Sequence, residues 1–327
     1  MLLAGCGGTS PAGDDASVVD AAPDAPGIGC TATSPRAVTP EAFIGPTGLQ
    51  TRLTTLIDSA ERTLDVQMYL FTVRALADRL VDARERGVNV RVIIDPDTDG
   101  DAAVRSTLAA GGVPVRDANS LFEFAHAKYL VIDGEAAVIM SANFNGGAMS
   151  EERNYGIIDR DPDDVADLQA IFAADWAAAG GESAQPADLS CTRLIVSPNN
   201  AKQRILELIG SARETLELEI MYLAETNVRE AIAAAQQRGV SVRVILGDRQ
   251  DDSIPALRAA GIPVRFPTFS LHAKLIIADG VAFVGSQNLS NTALTRNREA
   301  GALVFEPAPA QLIRNQFESD WASSSQN

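Results

Sequence analysis

The chain of 327 residues contains two histidines, His126 and His272, and three lysines, Lys128, Lys202 and Lys274. Each histidine stands two residues before a lysine, in Ala125-His126-Ala127-Lys128 and Leu271-His272-Ala273-Lys274, and each pair is followed by an aspartate, Asp133 and Asp279. On a strand, residues two apart face the same side, so His and Lys share a face. Further on, Ser141-Ala142-Asn143 and Gly285-Ser286-Gln287-Asn288 each end an apolar run, Ala136 to Met140 and Val281 to Val284. A neighbouring strand would thus set a hydroxyl and an amide beside an imidazole and an ammonium. Those groups suit a tetrahedral anion. Lysine gives fixed positive charge, Ser and Asn give donors, and imidazole can attack phosphorus or pass a proton near neutral pH. A buried strand with an incidental His and Lys explains one such stretch. It does not explain two at matching places that use every histidine and two of the three lysines.

An internal repeat supplies the elements that must position these groups. Ser59-Ala60-Glu61-Arg62-Thr63-Leu64 returns as Ser211-Ala212-Arg213-Glu214-Thr215-Leu216, and Arg86-Gly87-Val88 returns as Arg238-Gly239-Val240. Asp175-Trp176 returns as Asp320-Trp321. The offset is 152 residues early and 146 at the histidines, so the second half has a shorter connection. Leu53, Leu56, Ile57 and Ala60 fall on one helical face, and Leu64 to Leu70 follows as a strand. Val73 to Arg86 reads as a second helix stopped by Gly87, and Val88 to Ile94 as a strand covered on both faces. Each half therefore reads helix, strand, helix, strand, then a strand pair and a closing helix, with a parallel connection under helices. Ala177 to Pro186 is small and flexible in composition and marks the boundary. The fold class is α/β, two repeated halves, each a mixed sheet flanked by helices, packed as a pseudo-dimer. The expected domains are 36–180 and 191–327, with a linker at 181–190.

These motifs resemble the phospholipase D superfamily, whose signature is His-x-Lys-x4-Asp followed by Gly-Ser-x-Asn. The resemblance runs through both halves, from about Gln50 to Trp321. It implies one active site built from both motifs, and hence activity as a monomer without a cofactor or a metal. One histidine attacks a phosphodiester to give a phosphohistidine, and the other protonates the leaving alcohol. Lys128, Lys274, Asn143 and Asn288 hold the phosphate oxygens, with Ser141 and Ser286 assisting. By analogy His126 is the nucleophile and His272 the general acid. Family members also place a carboxylate downstream to support the imidazolium. Eleven residues beyond Asn288 stands Glu299, and eleven beyond Asn143 stands Asn154. Counted within each half, Glu299 would support His272, which makes His272 an equally eligible attacker; Glu151 or Glu152 are candidate substitutes for the missing carboxylate of the first half. Two further departures stand out. Met140 replaces the first motif's glycine, an expectation of a narrowed pocket, and only five residues separate Asp279 from Gly285.

Other residues carry weaker signals. Asp133 and Asp279 precede Gly134 and Gly280 and are expected to hold turns. Asp95 to Asp101 resembles the first part of an EF-hand loop, but Ser106 stands where a bidentate glutamate belongs, so an acidic solvated loop is expected. Trp176 and Trp321 read as core anchors, and Tyr69 and Tyr222 as candidates to line the site or the core. Phe122, Phe124, Phe266 and Phe269 precede the motifs and can form an apolar rim or seal the interface.

Composition narrows the substrate. Lys+Arg number 27 against 43 Asp+Glu, a net charge of −16, which disfavours long-range attraction to nucleic acid. No apolar run reaches the roughly 18 residues of a membrane helix. Residues 1–35 read as an export remnant followed by an acidic Gly/Ser/Pro/Ala/Asp tether. Leu3-Ala4-Gly5-Cys6 resembles the lipobox of bacterial lipoproteins, which implies lipidation at Cys6, a true start upstream of Met1, and an extracytoplasmic protein, lipid-anchored or secreted. An exported chain permits a disulfide between Cys30 and Cys191. A phospholipid is the expected substrate and partner. The alternatives are a metal-independent endonuclease of the same superfamily and a non-catalytic phosphate-binding protein.

Overall fold

Leu49, Leu53, Leu56 and Ile57 are the buried side chains of a helix, α1 (Leu49–Asp58), so the i, i+3, i+4 spacing is realised as an amphipathic helix. It follows a short strand, β1 (Glu41–Gly45), and leads into β2 (Thr63–Met68), α2 (Arg74–Glu85) and β3 (Asn89–Ile94). Then come α3 (Ala102–Ala110), β4 (Val115–Asp117), β5 (Lys128–Ile132), β6 (Ala136–Met140), α4 (Gly146–Ser150), β7 (Glu152–Asp159) and α5 (Pro162–Ala179). The second half repeats the order as β8 (Leu194–Ser197), α6 (Ala201–Ser211), β9 (Thr215–Ile220), α7 (Thr226–Gln237), β10 (Ser241–Leu246), α8 (Ile254–Ala259) and β11 (Val264–Arg265). It continues through β12 (Ser270–Leu271), β13 (Lys274–Ala278), β14 (Val281–Gly285), α9 (Asn291–Thr295), β15 (Glu299–Val304) and α10 (Pro307–Ser323). This computed structural model describes residues 32–183 and 185–326. Cys6 and Cys30 lie outside the described residues, while Cys191 is disulfide-bonded.

The two sheets have the same strand order, β1-β7-β6-β5-β2-β3-β4 and β8-β15-β14-β13-β9-β10-β11. As the strand–helix–strand pattern requires, β2 pairs parallel with β3 and β9 with β10, whereas the motif-bearing β5 and β13 run antiparallel to β2 and β9. A third strand follows each motif pair, β7 or β15, where the sequence suggested only a closing helix. Both begin with polar residues and carry a glycine, Gly156 or Gly301, which lowers their strand propensity. The edge strands β1 and β8 escaped notice because they are short.

Each sheet buries its helix side in its own core, around Leu53, Val66 and Val92 in the first half and Ile205, Leu218 and Val244 in the second. A third core joins the halves. Tyr129, Ile139 and Ile157 from one sheet meet Leu275, Ile277 and Val284 from the other, with Phe172 of α5 and Phe317 of α10. The seam is therefore as apolar as either interior, which makes the pair of halves one unit that opens only at large cost. Arg36 ties the start of the first half to both halves: its guanidinium is buried against Asp159, Asp164 and Glu306. Among the described residues no helix is long and apolar enough to cross a membrane.

Candidate active site

Both histidines lie just ahead of their strands, and the loop before each one crosses to the other half. Ser270 and Leu271 of β12 pair parallel with Glu152 and Arg153 of β7. Reciprocally, Ala125 bridges to Arg298. The first loop is also pinned from behind, because the Asp95 carboxylate accepts the Ala125 and Asp97 N–H groups. Asp95 is buried, so this part of the acidic loop is a structural brace and not the solvated turn expected from composition. Among the described residues no group of His, Cys, Asp and Glu could hold a metal ion.

This crossing changes which side chain serves which histidine. The within-half count pointed Glu299 at His272. Instead, His126 Nδ1 lies 2.8 Å from Glu299 Oε2, and His272 Nδ1 lies 3.0 Å from Asn154 Oδ1. The buried Glu299 carboxylate offers only acceptors, so His126 carries its proton on Nδ1 and presents Nε2 as the free nitrogen. Serine hydroxyls lock both orienting groups: Ser286 Oγ donates to Glu299 Oε2 at 2.6 Å, and Ser141 Oγ donates to Asn154 Oδ1 at 2.8 Å. Each hydroxyl in turn accepts a backbone N–H, from Ala300 or Tyr155. Ser141 and Ser286, expected among the phosphate donors, therefore have their protons committed to the histidine supports. The motif glycine makes this contact possible. A Cβ on Gly285 would stand 2.6 Å from Gly301 Cα, so the two strands approach only because neither carries a side chain. In the first half Met140 sits opposite Gly156, where the Phe43 ring fills the space, and Met140 itself is fully buried in the first core. The departure from glycine is absorbed there and does not narrow the site.

Lys128 Nζ donates to the His126 carbonyl, and Lys274 Nζ to the His272 carbonyl at 2.7 Å, so each ammonium folds back beside its own imidazole. The Tyr69 ring packs edge-on against His126 at 4.5 Å and under Lys128 at 5.0 Å. Its repeat equivalent is Met221, whose Sδ lies 3.7 Å from Lys274 Nζ, while Tyr222 is 44% exposed. Asn143 and Asn288 each have a buried Oδ1 without a donor. A second exchange mirrors the first. Glu152 and Asn297 occupy equivalent positions two residues before Asn154 and Glu299. Asn297 Nδ2 donates to Glu299 Oε1 at 2.9 Å, whereas Glu152 Oε2 is buried without a partner and its charge acts on Lys274.

The electrostatics link the halves. Burial lowers His126 to about 4, assisted by Lys128 and Lys274 and opposed by Glu299. His272 is held well below its ordinary value by burial and by Lys274, Lys128 and His126. Burial brings Lys128 down to about 7, and burial with the Lys128 charge holds Lys274 well below the usual lysine range. Burial would raise Glu299, but His126 and Lys128 outweigh it and keep the carboxyl below its ordinary value. Two imidazoles and two amines thus compete for protons within one centre, as a site awaiting an anion would.

The remaining candidates are structural. Asp133 and Asp279 adopt left-handed backbone (φ 55° and 48°), and each carboxylate accepts three consecutive N–H groups at the entry to β2 or β9. Trp176 and Trp321 stack on Phe172 and Phe317 beneath Arg116 and Arg265. Phe122 and Phe269 lie under Arg298 and Arg153 of the opposite half and help seal the interface, while Phe266 joins the second half's own core. Phe124 alone reaches the site, edge-on to Tyr69 at 6.2 Å.

The chain is similar to known proteins along most of its length. A family model described as "Cardiolipin synthase, PLD-like domain" matches twice, over residues 53–176 and 205–321. Cardiolipin synthase A of Pseudomonas aeruginosa is 28% identical over 82% of this chain and 64% of its own length. A probable phospholipase D of Caenorhabditis elegans is 21% identical over 82% of this chain and 65% of its own, so the chain spans a little under two thirds of these relatives. Two solved structures share the fold. Phosphatidylserine synthase of Haemophilus influenzae aligns with a TM-score of 0.69 at 14% identity, covering 88% of this chain and 87% of that one. Polyphosphate kinase from Porphyromonas gingivalis aligns with a TM-score of 0.68 at 16% identity, covering 86% and 47%. With the family model matched twice, over most of the chain, and a doubled motif, the chain belongs to the phospholipase D superfamily of PLD-like domains.

Proposed function

We propose that the protein cleaves the head-group phosphodiester of phospholipids and passes the phosphatidyl group to water or to an alcohol, through a phosphohistidine on His126. The observation that carries this reading is the crossed pair of supports. His126 has a buried carboxylate behind it and His272 a neutral amide. Attack by His126 Nε2 on phosphorus forms an N–P bond and leaves the ring cationic, which Glu299 stabilises. The P–O bond to the head-group alcohol breaks, and His272 Nε2–H supplies its proton. In the second step, neutral His272 takes a proton from water or an acceptor alcohol, whose oxygen attacks phosphorus as the N–P bond breaks. Lys128, Lys274, Asn143 and Asn288 hold the non-bridging oxygens. A phosphodiester anion also restores the positive charge that burial removes from His272, so binding itself arms the acid.

The nuclease alternative needs a basic groove. Two of three lysines sit in the centre, and many arginines are held in ion pairs: Arg62 with Glu135, Arg91 with Asp65, Arg105 with Asp101, Arg193 with Asp161, and Arg243 and Arg314 with Glu217. The proposal extends to a lipid anchor at Cys6, which would keep an exported enzyme beside its substrate; incorporation of labelled fatty acid in the native host, lost in Cys6→Ser, tests it. For the reaction, purified protein with chelator present is incubated with phosphatidylcholine, phosphatidylglycerol, and plasmid or single-stranded DNA. Head-group release or cardiolipin formation, lost in both His126→Ala and His272→Ala, supports the proposal. Cut DNA with untouched lipid moves it to the nuclease. Lipid turnover that survives either substitution removes the shared-site mechanism.

A further inference from the structure

Because each histidine is held by a side chain of the opposite half, the halves must stay in register to within a hydrogen-bond length. The residue immediately before each support is an arginine, Arg153 before Asn154 and Arg298 before Glu299. Arg153 donates Nε and Nη2 to Asp320 at 2.7 and 3.2 Å, and Nη1 to the Gly45 carbonyl at 2.7 Å. Its guanidinium lies over the Phe269 ring at 5.3 Å. Arg298 repeats the arrangement. Nη2 donates to Asp175 at 2.8 Å, Nη1 to the Ser197 carbonyl at 3.2 Å, and the group lies over Phe122 at 4.2 Å. The same two residues carry the strand crossing in their backbones: His272 N donates to the Arg153 carbonyl at 3.1 Å, and Arg298 N to the Phe124 carbonyl at 2.9 Å.

We infer that Arg153 and Arg298 are positioning residues, Arg153 setting the register of His272 and Arg298 that of His126. Each guanidinium ties the opposite half's closing helix, through Asp320 or Asp175, to the opposite half's pre-histidine loop, through Phe269 or Phe122. Each also fixes the end of its own half's first strand. The planar fork is required, because one group must meet a carboxylate, a carbonyl and a ring face at set angles. The pairs are mostly shielded, with Arg298 and Asp175 side chains only 12% and 8% exposed, so they define geometry strongly. This explains why the Asp-Trp pair recurs in the repeat. The aspartate is the anchor of the clamp, and the tryptophan beside it packs the helix end.

The inference rests on the assignment of His126 as nucleophile and His272 as acid, and the test separates the two claims. Single-turnover rates of leaving-group release, which stop before His272 acts as a base, are measured on an aryl phosphodiester, bis(p-nitrophenyl) phosphate, whose leaving group departs without a proton, and on a phospholipid, whose alcohol needs one. The variants are Arg153→Lys, Arg153→Gln, Arg298→Lys and Arg298→Gln, with His126→Ala and His272→Ala reporting the roles directly. Thermal unfolding gives the folded fraction, to which rates are normalised. Arg153 variants are expected to raise the aryl-to-lipid rate ratio at least tenfold. Arg298 variants are expected to lower both rates at least tenfold while the ratio stays within threefold. The reversed pattern supports the clamp and overturns the role assignment, and His272→Ala would then be the variant that abolishes aryl turnover. Normalised rates and ratios that match the wild type in all four arginine variants overturn the clamp.

Discussion

Replacing Glu299 by Gln removes one charge from behind His126; its new NH2 meets Asn297, whose amide can turn its buried, unpartnered Oδ1 to accept it. The amide can keep its carbonyl toward His126 Nδ1, which lies 2.8 Å from the present carboxylate. What disappears is the attraction between a buried carboxylate and the imidazolium formed when His126 bonds to phosphorus. At a separation of about 4 Å and an effective dielectric near 20, that attraction is worth ~4 kcal/mol. The Lys128 charge, which also bears on Glu299, is then less well balanced, while the retained hydrogen bond gives part of the loss back. A net ~3 kcal/mol corresponds to roughly a hundredfold slower formation of the phosphoenzyme. The assay is rapid-quench single turnover with bis(p-nitrophenyl) phosphate, following p-nitrophenolate release and acid-labile, alkali-stable phosphate on protein. The burst should slow by about two orders of magnitude with the protein still folded. A burst within threefold of wild type, or a loss confined to substrates with alkyl leaving groups, would refute the electrostatic argument.

Other outcomes follow from the same geometry. Asn154→Asp adds a carboxylate behind His272 and should carry the basic limb of the lipid pH–rate profile upward by about one unit, since a neighbouring anion favours the imidazolium. His126 is lowered to about 4, below the ordinary histidine value. An unfolded chain therefore binds more protons in that window, and stability should rise with pH from about 4 to about 6.5 and be lost as pH falls back through it, by a few kcal/mol in denaturant titrations. Inorganic phosphate or tungstate should raise the melting temperature and take up protons on binding, because the anion restores charge to His272 and to Lys128, itself lowered to about 7. Calorimetry in buffers of different ionisation enthalpy would show that uptake, and proton release would contradict it. Asp133→Ala and Asp279→Ala each strand three backbone donors and should cost ~2 kcal/mol of stability, while kcat per folded molecule changes by less than about threefold.

The residues that can do chemistry were legible because they are scarce. With two histidines and three lysines in the chain, a repeat that matched both histidines and two lysines left little room for coincidence. The helices and parallel strands of each half were likewise written in apolar periodicity, as in α1 and β3. What stayed hidden was which half serves which histidine. Counting along the chain tied Glu299 to His272, and only the crossing of β12 onto β7 reverses that assignment. No local pattern encodes such a crossing, since Ser270 and Leu271 look like any loop. Nor did composition reveal that Met140 faces a core and not the site, because the compensating Phe43 lies on a short edge strand nearly a hundred residues earlier. The clamp arginines carried one readable signal: the offset of 145 that aligns Asn143 with Asn288 also aligns Arg153 with Arg298 and Glu152 with Asn297.

The shared-site reaction requires both free imidazole nitrogens to meet one phosphorus. A crystal structure of the protein soaked with vanadate tests this directly. The expected result is a single vanadate with His126 Nε2 in an axial bonding position, His272 Nε2 within hydrogen-bond reach of the opposite axial oxygen, and Lys128 and Lys274 on the equatorial oxygens. Vanadate bonded to His272 alone, or two separate ions each confined to one half, would contradict it.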